Sequence, residues 1–223
     1  GMTSKSGEIQ ENMGLGDVSD KASCADTSDD IEGWRSRIDQ SIARSRKVRG
    51  ANYVQIATVD ESGMPKCRTV VFRGFQPLNE QGSVEAMKMI TDARSEKVAQ
   101  LAHNNKCEMV WWFAKSSEQY RISGELRLVG ENESDPFLLS ARKQQWGNIS
   151  DAAREQFFWH APGVPFDSKP EVPAAGRDEE GRILDVPSTF LLTLLIPSSV
   201  KYLRLTDNFA QLDDEAGARR VNP

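Results

Sequence analysis

Asn52-Tyr53-Val54-Gln55-Ile56-Ala57-Thr58-Val59 is followed by Asp60-Glu61-Ser62-Gly63. After Pro65 comes Lys66-Cys67-Arg68-Thr69-Val70-Val71-Phe72-Arg73-Gly74-Phe75. Two runs rich in β-branched and aromatic residues flank a cluster of turn formers, and this pattern predicts an antiparallel hairpin. The second run also carries two arginines, Arg68 and Arg73, among apolar neighbours. A charge on a strand that packs against a core must be paired or must face an anion. The same stretch therefore raises both the question of fold and the question of function.

Working outward, Gln119 to Val129 alternates Ile122, Gly124, Leu126 and Leu128 with Arg121, Ser123, Glu125 and Arg127. One face of that strand is dry and the other wet. Further strands are expected over Val84 to Ile90, Glu108 to Phe113, Thr189 to Ile196 and Val200 to Leu205. Helical spacing of Trp34, Ile38 and Ile42 predicts a helix over about 33–46. Ser95 opens a short helix whose Val98, Leu101 and Ala102 form one stripe. Asp135-Pro136 starts another, running to Trp146, and a fourth covers Asp151 to Phe158. Short strands joined by hairpins, with few helices between them, predict a mainly β chain with flanking helices, closed as an antiparallel barrel. Strand and helix do not alternate as a parallel doubly wound sheet requires.

The chain has 223 residues, with 28 Lys+Arg against 33 Asp+Glu, a formal charge of −5. That balance disfavours a nucleic-acid or anionic-membrane partner. The longest apolar run, Phe190 to Ile196, is far short of a membrane span. Cys24, Cys67 and Cys107 make no disulfide framework, and a reducing, cytoplasmic setting is expected. Gly1-Met2 reads as a tag remnant before a start residue. Residues 1–30, poor in bulky apolar side chains, read as a disordered acidic arm ahead of a single domain over 31–223. Within that domain, the stretch 162–187 holds Pro162, Pro165, Pro170, Pro173 and Pro187 and reads as a long loop.

No G-x-G-x-x-G, Walker loop, G-x-S-x-G or H-E-x-x-H is present. His103 and Cys107 read as structural residues rather than a catalytic pair, and two histidines are too few for a zinc site. The signal is cationic. Lys97 lies in the first turn of the helix opened by Ser95, where a cation opposes the helix dipole but an anion is favoured. Arg68, Thr91, Ser95 and Lys97 together could surround a phosphate. The bland alternative is a wet-face arginine and a solvated lysine. Arg68 and Arg73 are five residues apart, so a regular strand would put them on opposite faces. Both can reach one ligand only if the strand bulges or ends between them.

These residues, in order, resemble the pyridoxamine 5'-phosphate oxidase-like family of FMN-binding split barrels. Arg68-Thr69-Val70-Val71-Phe72-Arg73-Gly74-Phe75 resembles its R-x-V-L-L-K-G-F strand. Ile90-Thr91-Asp92 with Ser95-Glu96-Lys97 resembles its Y-T-N…S-R-K segment. Trp112, Glu118-Gln119 and Ile122-Ser123-Gly124 resemble its W…R-Q-V-x-V-x-G strand, and Arg220-Val221-Asn222-Pro223 its closing R-L-x-P. The resemblance implies a homodimer with FMN at the subunit interface. Arg68 and Lys97 would take the FMN phosphate, with Thr91 and Ser95 helping and Ile90 beside them. The backbone of Thr69, Val70 and Val71 would lie along the isoalloxazine, Gln119 would hydrogen-bond it, and Arg73 would stand near ring and substrate.

The chain also departs from that pattern. The family grips its substrate phosphate with a Tyr, an Arg and a Ser on the helix after the Gln strand. Here that helix reads Phe137-Leu138-Leu139-Ser140-Ala141-Arg142, without the Tyr. Leu203 stands where a Trp meets the flavin, and Glu96 replaces an Arg. The expected function is an FMN-dependent oxidoreductase of unassigned substrate, from a divergent branch rather than the vitamin B6 oxidase itself. The alternatives are a non-catalytic flavin carrier or sensor, or a haem- or deazaflavin-binding barrel.

Overall fold

In the computed structural model, which describes residues 31–223, the hairpin forms from β1 (Tyr53–Val59) and β2 (Pro65–Val71), with Ile56 opposite Arg68. The turn is fixed by Asp60, whose carboxylate accepts from the backbone N–H groups of Ser62 and Met64, and by Gly63 at φ +83°. The returning strand is shorter than the expected Lys66 to Phe75. The Phe72 N–H still donates to the Asn52 carbonyl at 2.8 Å, but the Arg73 N–H donates to the Lys88 carbonyl at 2.8 Å. The chain is thus handed from β1 to β4 (Glu85–Asp92) within one residue. Gly74, at φ +112°, makes the bend, and β3 (Phe75–Pro77) then pairs with β4.

That hand-over closes the barrel. The strand order is β2-β1-β5-β6-β7-β4-β3, with β5 at Lys106–Phe113, β6 at Glu118–Val129 and β7 at Phe190–Arg204. β2 and β3 stand at opposite ends of this order, yet only residues 72–74 separate them. The sheet must curl until its two ends meet. All pairings are antiparallel, as expected.

The two strands expected over Thr189–Ile196 and Val200–Leu205 are one continuous strand, β7, of 15 residues. Pro197 did not break it because a register shift between Ser123 and Gly124 of β6 absorbs the irregularity. At Gly124 a Cβ would lie 2.1 Å from the Ile196 carbonyl oxygen, so only glycine fits. β8 (Phe209–Asp214) and β9 (Gly217–Val221) were not foreseen and extend the sheet from β7.

Inside the barrel, Val54, Ile56, Met87, Met89, Met109, Trp111, Tyr120 and Ile122 are buried together with Ile38 of helix α1 (Trp34–Arg44). Helix α2 (Glu96–His103) packs near β1. Helix α3 (Pro136–Asn148) starts at Asp135, whose carboxylate caps the Phe137 N–H, and seats Leu138 and Ala141 on Leu192 and Leu194. The apolar run of β7 is therefore buried on both faces within one chain. Helix α4 (Asp151–Glu155) leads through a 3-10 turn at Gln156–Phe158 into the proline-rich stretch. That stretch holds little regular structure and is strapped down by Arg154, which donates to the Ala175 carbonyl, and by Arg177 on Asp151. Among the described residues no helix is long and apolar enough to cross a membrane. The expected arm over 1–30 lies outside the described residues.

Candidate functional site

Arg68 lies on the inward face of β2 with the half-buried Lys66 and Val70, opposite Ile56, which is buried in the barrel. Among the described residues its guanidinium contacts no carboxylate. It donates to the Thr58 hydroxyl at 2.7 Å, the Lys66 carbonyl at 3.1 Å and the Gln100 side-chain oxygen at 3.1 Å. Gln100 is buried on α2 and is itself held by Glu96. Neutral groups thus fix the guanidinium while leaving its charge uncompensated.

Lys97 reaches the same region from the first turn of α2. Its ammonium donates to the Thr91 hydroxyl at 2.8 Å and the Ser95 hydroxyl at 3.4 Å, and these two hydroxyls are 3.2 Å apart. Ser95 occupies the N-cap position but its side chain makes no cap bond, since it turns to Thr91 and Lys97 instead. Lys97 is not the solvated surface lysine of the bland reading. Burial depresses its pKa below the ordinary lysine value, and the nearby Arg68 charge adds to this, outweighing Asp92 and Glu96.

Arg73 and Lys88 form a second cationic pair where the chain passes from β2 to β3. Burial lowers the pKa of Lys88, with Arg73 adding to it, and burial alone lowers that of Arg73. The buried Nε of Arg73 has no hydrogen-bond partner among the described residues. Arg73, Ile90, Thr91, Ser95 and Lys97 line one side of a cleft of about 450 Å³, and Phe157, Trp159, His160 and Pro162 line the other.

Of the expected site residues, Arg73, Ile90, Thr91, Ser95 and Lys97 line this cleft; Arg68 is not among its lining residues, but it is tied to the Lys97 helix through Gln100 and its charge acts on Lys97. Thr69 and Val71 point outward, opposite Gln55 and Tyr53, while Val70 faces the barrel interior with Val54. Gln119 lies elsewhere. On β6 the neighbours Glu118 and Tyr120 are buried, so Gln119 is on the outer face, between Trp112 and Leu203. It borders a separate apolar cleft of about 420 Å³ with Leu203, Leu212, Val221 and Pro223. Within one chain Arg68 and Gln119 therefore serve opposite faces of the sheet. Thr58, Gln100, Lys88 and the Trp159–Pro162 side were missed from sequence. They reach the site through pairings distant in sequence, and only the position of Gln100, three residues after Lys97 on one helix face, was a local signal.

Other candidates carry no chemistry. The Cys107 thiol is buried and pushed up to about 12, so it stays protonated. Arg142 donates to the Phe190 carbonyl at 3.0 Å and to the Pro187 carbonyl at 2.8 Å, and it is buried there.

The family model described as pyridoxamine 5'-phosphate oxidase, FMN-binding domain, matches residues 31–130. That span contains all the expected cofactor residues. The chain is 31% identical over 175 residues to pyridoxine/pyridoxamine 5'-phosphate oxidase 2 of Arabidopsis thaliana, covering 78% of this chain and 84% of that protein. It is 37% identical over 89 residues to the pyridoxine/pyridoxamine 5'-phosphate oxidase of a Nostoc species, but this covers only 40% of the chain and 38% of the relative. Among solved structures, a pyridoxamine 5'-phosphate oxidase-related, FMN binding protein of Nostoc punctiforme superposes with TM-score 0.73 at 32% identity, over 87% of this chain and 100% of that one. PhzG of Burkholderia lata, in complex with tetrahydrophenazine-1-carboxylic acid, shares the fold with TM-score 0.65 at 15% identity, covering 87% and 95% of the two chains. The order of motifs, the closed antiparallel split barrel and the extent of these similarities lead to one conclusion: the chain belongs to the pyridoxamine 5'-phosphate oxidase-like family of FMN-binding domains.

Proposed function

We propose that this protein is an FMN-dependent oxidoreductase, acting as a homodimer on a small substrate other than a B6 phosphate. The observation that carries the reading is the corner where Lys97, Thr91 and Ser95 converge within 3.4 Å, with Arg68, tied to the same helix through Gln100 and without a carboxylate partner among the described residues, near enough for its charge to act on Lys97. Two cations match the charge of a terminal phosphate dianion, and two hydroxyls add donors for its oxygens. The unpartnered Nε of Arg73 offers one more donor further along the same cleft. When bound, FMN would supply hydride acceptance, while the chain supplies binding and orientation.

The split between Arg68 and Gln119 supports two copies. A single ligand can use both residues only if the outer face of one chain meets the phosphate corner of another. That outer face is apolar enough to be covered, since Tyr53 is 54% and Trp112 42% exposed.

The name of the Arabidopsis relative favours a second reading, in which pyridoxamine phosphate is the substrate. Arg142 speaks against it, because the guanidinium on the substrate-gripping helix is committed to main-chain carbonyls. The test is the absorbance of the purified protein and its response to reductants. Flavin absorbance in the wild type, lost in the double variant Arg68→Ala/Lys97→Ala, is expected. A Soret band, or flavin retained by the double variant, overturns the reading. Bleaching by pyridoxamine phosphate would establish the second reading, and no bleaching by any hydride donor would leave a carrier.

A further inference from the structure

The side of the cleft facing the cations is held by a latch. Arg94 lies on the turn after β4 and grips Asp92 with Nε at 2.9 Å and Nη2 at 2.7 Å. Its Nη1 then donates to the Trp159 carbonyl at 2.8 Å. Asp92 immediately follows Thr91, so this bidentate pair ties Trp159 directly to the strand that presents the phosphate hydroxyl. The Thr189 hydroxyl, donating to the Phe157 carbonyl at 2.8 Å, fastens the other end of the segment. Lys169 covers the Trp159 ring and pairs with Glu155 at 3.0 Å. The wall 157–162 is thus tethered from several elements, and it lines the same cleft as Thr91, Ser95 and Lys97.

We propose that Arg94 is a positioning residue. By clamping Trp159 it sets the segment Phe157–Pro162 as a wall across the anion end of the cleft. The site then accepts a terminal phosphomonoester and rejects the same phosphate extended through a pyrophosphate link to a further nucleotide. Two arguments converge. A dianionic monoester offers three free oxygens to the Lys97, Thr91 and Ser95 triangle, whereas the same phosphate in a pyrophosphate link to a second nucleotide offers two and carries a single charge. A wall opposite those donors takes the space an esterified nucleotide needs.

This inference rests on the flavin reading above. The full chain is titrated with riboflavin, FMN and FAD, and the same is done for Arg94→Ala, Arg94→Lys and Trp159→Ala. The wild type is expected to prefer FMN to both others. Arg94→Ala and Trp159→Ala should lower the FMN-to-FAD affinity ratio by about tenfold or more, the scale at which pocket contacts discriminate. Arg94→Lys, which keeps a donor for the Trp159 carbonyl, should recover part of the ratio. A general loss of stability would weaken both ligands together and leave the ratio unmoved. If FMN binds better than riboflavin but the ratio is unchanged in both Arg94→Ala and Trp159→Ala, the wall has no selective role and the flavin reading stands. If the wild type does not distinguish FMN from riboflavin, both proposals fall.

Discussion

The Lys97 ammonium lies 2.8 Å from the Thr91 hydroxyl, with its pKa lowered by burial and by the charge of Arg68. An isolated cation in that position costs the fold free energy, and a bound anion offsets the cost. An anion that binds the folded chain there would stabilise it by mass action.

The sign of the resulting pH dependence is fixed. With the folded-state pKa of Lys97 below its unfolded value, the unfolded chain holds the proton longer as pH rises. Without ligand, stability from this group therefore increases between the lowered folded pKa and the ordinary lysine value. Phosphate binding has the opposite trend, because it needs the charged form. The ratio of FMN to riboflavin affinity, measured from pH 7 upward, is expected to fall before the ordinary lysine range is reached. Lys97→Arg should flatten that fall, and a wild-type ratio that holds steady to about pH 10 would remove Lys97 from the phosphate site.

Arg142 is expected to matter for stability and not for cofactor. Its removal leaves the Phe190 and Pro187 carbonyls without their donors. Arg142→Ala should cost about 1–3 kcal/mol, the range for orphaned buried polar groups, as read from denaturant midpoints. Flavin affinity should be unchanged. Lost affinity in a variant of normal stability would return Arg142 to the functional site.

Glu118 ties α1 to the barrel. Its carboxylate accepts from Ser41 at 2.9 Å, from Tyr202 at 2.6 Å, from Ser116 and from Arg44 at 3.1 Å. Burial pushes its pKa up, but these donors outweigh burial and the net shift is downward. A lowered carboxylate pKa gives stability that is present above the unfolded value, about 4.3, and lost as pH falls through the folded value. Glu118→Gln should destabilise by about 1–3 kcal/mol at neutral pH. The gap to wild type should narrow below about pH 4. A gap independent of pH would show that the carboxylate charge plays no part.

Local pattern carried much of this. Alternation placed β6, the Asp60–Gly63 turn placed the first hairpin, and Asp135-Pro136 placed α3. The incompatibility of Arg68 and Arg73 on one regular strand was also visible in sequence, and the break after Val71 resolves it. β3, β8 and β9 were not visible, because they are short and draw their stability from the strands they join. That β7 is one strand rather than two was hidden for the same reason, since a bulge on the neighbouring β6 lets Pro197 stay within it.

What the amino-acid order determined by itself was which residues alternate, where the chain turns and which cations stand among apolar neighbours. These are properties of spacing, and spacing is local. Only the tertiary structure decided that the ends of the sheet meet at residues 72–74, that Arg68 is held by Thr58 and Gln100, and that Arg94 fastens Trp159 across the cleft. The last two join residues from 10 to 65 positions apart. Contacts of that kind exist only once barrel closure has met the entropy cost of bringing distant segments together.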